Sequence, residues 1–145
     1  MVDLSVDHVS AYPPTSALLQ ANTALPVGTP EYIAPEVLTS LDSPSPGHTS
    51  SAQYGVCCDW WSLGIIAFEL LVGVTPFEGD TTAQTYANIM AFRKGVHFPE
   101  EVELSSGVKD LIVHLLSPQE ERPGFESIKH HEFFQQVPWS SLQSS

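Results

Sequence analysis

A mainly α-helical fold follows from three observations on this 145-residue chain. No alternating apolar–polar run long enough for a strand occurs anywhere in it. From Asp59 to Val72 the sequence is almost continuously apolar, over a length that suits a buried helix. Further on, Val108, Leu111, Ile112, Leu115 and Leu116 repeat at i, i+3, i+4, i+7 and i+8, the stripe of an amphipathic helix.

Taken in order, residues 1–26 hold Pro13, Pro14 and scattered Ser and Thr without any period, and read as an irregular leader. Residues 39–53 are a Ser/Pro/Gly-rich insert with little apolar content, expected to be a flexible surface loop. Ser43-Pro44 and Ser45-Pro46 within it could be phosphorylated, but a plain surface loop is the favoured reading. At Asp59 a helix is expected to open, with the carboxylate as N-cap accepting a backbone N–H. Trp60, Trp61, Leu63, Ile65, Ile66, Phe68, Leu70 and Leu71 leave it no polar face, so it needs neighbours on every side. Gly73 to Gly79 form a turn. Thr81 or Thr82 then caps a helix reaching Met90, with Ala83, Tyr86, Ala87 and Met90 as its apolar stripe. Ser105 or Ser106 starts the next helix and Pro118 stops it. Phe125, Ile128, Phe133 and Phe134 suggest a last short helix before a tail at 141–145.

Composition narrows the function classes. With 42% apolar residues the chain can fill one core. A net charge of −12 argues against nucleic acid as a partner, because phosphate binding needs a basic footprint. Basic peptides or basic protein surfaces would be attracted instead, unless the acidity serves solubility alone. No charged-then-apolar secretion signal opens the sequence, and no apolar run approaches the ~20 residues that cross a bilayer. Membrane partners are therefore not expected, and the adjacent Cys57 and Cys58 fit a reducing, cytoplasmic setting. Neither C-x-x-C nor H-x-x-x-H spacing occurs, so no metal ligands are expected.

The most specific text is Val27-Gly28-Thr29-Pro30-Glu31-Tyr32-Ile33-Ala34-Pro35-Glu36, followed by Asp59-Trp60-Trp61-Ser62-Leu63-Gly64. Three later phrases keep the same order: the Gly73 to Phe77 turn, Glu121-Arg122-Pro123, and His131-Glu132-Phe133-Phe134. Together they resemble the C-terminal lobe of eukaryotic protein kinases, and GTPEYIAPE resembles the AGC group of serine/threonine kinases. The insert before Tyr54-Gly55, Asn88-Ile89-Met90 and Val137-Pro138-Trp139 are most similar to citron-type kinases, with the myotonic dystrophy kinase branch next.

That resemblance implies an incomplete kinase C-lobe over residues 27–140, without the N-lobe or the catalytic loop. It assigns Gly28, Thr29, Pro30 and Tyr32 to the loop that receives a substrate peptide. Glu69 would accept a substrate arginine through a two-pronged contact, as in kinases that prefer basic sequences. A buried carboxylate satisfied by Tyr32 or a backbone group is the other reading of Glu69, and the two are compatible. Glu36 and Arg122 would form a structural ion pair, where Arg122 read alone is a solvated charge. Asp59, which in the family also holds the catalytic loop, keeps only its capping role here.

Phosphoryl transfer needs a Gly-rich cover, a strand lysine, a catalytic Asp and Asn, and a magnesium-binding DFG aspartate. None of these motifs is present, and Lys94, Lys109 and Lys129 all follow the docking loop. No residue is therefore expected to be catalytic or to bind a cofactor; Mg-ATP belongs to the parent kinase. The position three before Gly28, phosphorylated in many AGC kinases, is Leu25. The implied activity is transfer of the ATP γ-phosphate to Ser or Thr of basic protein substrates by a longer parent. Rho-pathway and cytoskeletal partners are implied by resemblance only. A stand-alone binding module without catalysis is the alternative. The family helices that cover one side of the 59–72 helix precede the motifs found here, so a bare apolar face and a loosely packed chain are expected.

Overall fold

One 16-residue helix, Cys57–Val72, carries the centre of the core, and the other elements pack around it. The computed structural model describes residues 29–41 and 55–142. The leader, Gly28, the stretch 42–54 and the last three residues lie outside the described residues. Among those described there are helices and 3₁₀ turns and no strand.

After a 3₁₀ turn at Pro30–Tyr32 comes α1, Pro35–Leu41, then α2, Cys57–Val72. Next are α3, Thr82–Met90, and α4, Ser106–Leu115, followed by the short α5, Phe125–Lys129, and α6, Trp139–Leu142. Further 3₁₀ turns cover Phe92–Lys94 and Glu132–Phe134. Helix α1 takes in Thr39 and Ser40, which composition had placed in the insert. Their hydroxyls fold back onto the carbonyls of Pro35 and Val37, so helix is compatible with polar residues here.

Trp61 is the centre of the core and is fully buried. Its ring stacks on Phe77, with centroids 5.6 Å apart, and meets Phe92 edge-on at 5.4 Å. Ile65 and Phe68 continue the same face of α2, against Ala34 and Leu38 from the α1 side, Tyr86 and Ile89 of α3, and Val108 and Ile112 of α4. Gly64 lets α2 and α4 close in. A Cβ there would lie 2.9 Å from the Leu115 Cβ, nearer than real carbons approach. Gly73, at φ 92°, ends α2 in the left-handed region and donates its N–H to the Glu69 carbonyl at 2.7 Å.

The start of α3 is as the sequence predicts, with the Thr81 hydroxyl accepting the Gln84 N–H at 3.2 Å. Its buried face is not the expected one. Thr85, Tyr86 and Ile89 are buried, whereas Ala83, Ala87 and Met90 are half-exposed. The reason is local: the Thr85 hydroxyl accepts the Gly79 N–H at 3.1 Å, so a polar side chain enters the core satisfied. In α4 all five stripe residues are buried and Ser105 is the cap.

One side of α2 stays uncovered, as its composition implies. Leu63, Ile66 and Leu70, three and four positions apart, are exposed, Leu70 at 81%. No described helix is long and apolar enough to cross a membrane.

Candidate peptide-docking site

The candidate docking turn takes its shape from local chemistry. Pro30 presets the first residue of the 3₁₀ turn, and Thr29 before it is extended at φ −73°, ψ 123°. The turn closes through the Tyr32 N–H on the Thr29 carbonyl at 3.3 Å. Ser62 on α2 then pins it, donating its hydroxyl to the Tyr32 carbonyl at 2.9 Å. Sequence reasoning passed over Ser62. The signal was a lone hydroxyl inside an otherwise apolar run.

Across this tether the Tyr32 hydroxyl donates to Glu69 Oε2 at 2.6 Å, a short, charge-assisted bond. Glu69 is half-buried, and its other oxygen has no partner among the described residues. Tyr32 holds its proton above the ordinary tyrosine range, chiefly because of that hydrogen bond, with burial and the charges of Glu69 and Glu31 adding to it. The structure thus ties the Thr29–Tyr32 turn to α2 at two points, Ser62 near its start and Glu69 in its last turn; Gly28 is outside the described residues.

Below the turn, Arg122 meets Glu36 with both prongs, Nη1 to Oε1 at 2.6 Å and Nη2 to Oε2 at 3.1 Å. Nη1 also donates to the Cys57 carbonyl at 2.6 Å, and Nε and Nη2 donate to the Ser117 carbonyl at 3.3 and 3.0 Å. Every guanidinium N–H therefore has an acceptor. The Arg122 side chain is fully buried, and its guanidinium lies 5.2 Å from the centre of the Trp61 ring. Burial this complete is tolerable only because the charge is paired and saturated.

Asp59 corrects the sequence reading. Helix α2 starts two residues earlier, at Cys57, with Val56 as N-cap and no side-chain cap bond. Asp59 is exposed in the first turn, where a negative charge suits the helix N-terminus without capping it. The Cys58 and Asp59 N–H groups donate to the Gly55 and Val56 carbonyls, and Arg122 separately ties this end of α2 to the bracket by donating to the Cys57 carbonyl.

Helical layers built on Trp61, a docking turn tied to the central helix and a buried Glu–Arg bracket define the C-terminal lobe of a protein kinase. Residues 14–134 match the protein kinase domain family, and the chain belongs to it. Over 124 residues it is 44% identical to citron Rho-interacting kinase of Homo sapiens, covering 86% of this chain and 6% of that protein. Over 135 residues it is 41% identical to the Homo sapiens serine/threonine-protein kinase MRCK gamma, covering 90% and 8%. MRCK alpha of Mus musculus is 36% identical over 126 residues, covering 84% and 7%. The chain thus spans less than a tenth of these curated relatives. By family it is a serine/threonine protein kinase sequence, of which these helices form the C-lobe part.

Proposed function

We propose that this chain supplies the substrate-docking surface of a serine/threonine kinase that acts on basic protein sequences. The observation that carries this reading is the carboxylate of Glu69, held by Tyr32 through one oxygen and leaving the other available. A substrate guanidinium approaching α2 beside the docking turn finds a fixed, half-buried acceptor, and Arg fits it better than Lys because of its planar fork. Thr29 and Pro30 line the turn that would receive the residue next to the phospho-acceptor.

Catalysis needs partners that these residues do not provide. Four of the five described Lys and Arg residues are already engaged: Lys109 and Lys129 lie over the rings of Phe98 and Phe125, Arg93 faces Glu120, and Arg122 is paired with Glu36. Mg-ATP therefore belongs to the parent kinase, and the chain alone is expected to be inactive. Cytoplasmic action and Rho-pathway or cytoskeletal partners follow only from likeness to the relatives.

Two measurements test the reading. A fluorescent serine peptide with an upstream arginine should bind the chain more tightly than its alanine counterpart, and Glu69→Gln should erase the difference. Equal binding of both peptides sinks the arginine role. Phosphate transfer from Mg-ATP by the chain alone would sink the expected inactivity.

A further inference from the structure

Asp110 and His114 lie one turn apart on α4, and His131 opens the 3₁₀ turn at Glu132–Phe134. These elements pack so that His131 Nε2 is 2.9 Å from Asp110 Oδ2, and His114 Nδ1 is 3.3 Å from the same oxygen. One ligand atom from each residue can be chosen so that all three lie within 4.8 Å of one another. We propose that Asp110, His114 and His131 form a binding site for a borderline divalent cation of the zinc class.

Geometry supports this first. Ligand atoms at the ~2.0–2.1 Å bond lengths of tetrahedral zinc stand roughly 3.3 Å apart. Two of the three separations are already near that value, so closure asks for a rotamer adjustment and no backbone movement. Donor chemistry supports it second. Two imidazoles and one carboxylate suit zinc, and three protein ligands leave a fourth position for water or an outside ligand.

Charge is the third support. The Asp110 carboxylate has no Lys or Arg partner among the described residues; neighbouring Lys109 turns its amine toward the Phe98 ring. The whole chain carries −12, which favours a cation further. Support from the scaffold is uneven but sufficient. His131 is mostly buried, at 16% side-chain exposure, while His114 and Asp110 are open to solvent at 56% and 58%.

Without metal, the two imidazoles are held by other contacts. The His131 Nδ1 accepts the Phe133 N–H at 3.2 Å, so in the neutral ring Nε2 carries the proton and donates to Asp110. His114 Nδ1 faces the Asp110 carbonyl at 2.8 Å. Metal binding moves each ring proton to the opposite nitrogen and exchanges two contacts for metal bonds, the Phe133 N–H on His131 Nδ1 and the His114 Nδ1–H on the Asp110 carbonyl. The absence of H-x-x-x-H spacing misleads here, because the pair on one helix face is Asp-x-x-x-His and the third ligand comes from a separate turn.

The test is titration of the whole 145-residue chain with Zn²⁺ by calorimetry, and with Co²⁺ by visible absorption. One-to-one binding is expected. His114→Gln, an exposed change that leaves the core untouched, should weaken it by roughly tenfold or more, and Asp110→Asn should do the same. A Cys57→Ser/Cys58→Ser variant and a His130→Gln variant should bind as the parent does. No one-to-one binding, unchanged affinity in His114→Gln, or loss of binding in the cysteine or His130 variants would each overturn the proposal.

Discussion

Glu36 and Glu69 are the same chemical group in two opposite situations. Glu36 has both oxygens on one guanidinium and a side chain only 13% exposed. Glu69 is bound at one oxygen by a phenol and is unpartnered at the other among the described residues. A saturated carboxylate holds structure, because nothing further can approach it. A half-satisfied one beside a fixed turn is poised to accept. On the proposed reading, the difference separates the part of this lobe that keeps its shape from the part that would meet a substrate.

Breaking the saturated site should have the largest effect. Arg122→Met leaves Glu36 without its partner and the carbonyls of Cys57 and Ser117 without donors. A loss of about 3–5 kcal/mol is expected in urea denaturation, and a loss under about 1 kcal/mol would show the pair to be ornamental. A Glu36→Leu/Arg122→Met double variant should recover part of that loss, since neither charge is then stranded.

Breaking the open site should act on binding more than on folding. Glu69→Gln is expected to leave the denaturation midpoint nearly unchanged. It should weaken an arginine-containing peptide by roughly tenfold, the scale of one charge-assisted contact. A large fall in stability with unchanged peptide affinity would reverse the two roles.

The Tyr32 phenol gives a finer contrast. Its folded-state pKa is raised, so the bond to Glu69 is fully present below about pH 10 and is lost as pH rises through the folded value. Absorbance titration should place Tyr32 above free tyrosine in the parent chain, and Glu69→Gln should bring it back down. Smallest of all, the Cys58 thiol is pushed up by burial and then by the Asp59 charge, so alkylation near pH 8 should be slower than for free cysteine. Arg122→Met, which frees the N-terminus of α2, should speed it.

What the sequence made legible divides along the same physical lines. Helix α4 could be read residue by residue, because its stripe and its serine cap are local and periodic. The Glu36–Arg122 bracket joins residues 86 positions apart, which no periodicity reveals; only a series of family motifs makes it readable. The start of α2 was misplaced because Val56 and Cys57 carry no capping signal, and the first N–H groups are taken up by the Gly55 and Val56 backbone carbonyls. The face of α3 was misread because Thr85 looks polar in the sequence, yet its hydroxyl is satisfied by Gly79. Ser62, and the meeting of His131 with α4, needed three-dimensional packing to appear.

The 86-residue reach of the Glu36–Arg122 bracket also orders events in time. A ribosome adding about 5–20 residues per second makes Glu36 some 4–17 seconds before Arg122. Through that interval the carboxylate stays hydrated, and the first turn of α2 has only its local bonds to the Gly55 and Val56 carbonyls. Glu36 and α1 are therefore among the first described parts to be synthesised, and their tie to Arg122 is among the last to form. Nascent chains halted before residue 122 should carry Glu36 without its partner, and limited proteolysis should cut them more readily around α1 than chains that include Arg122.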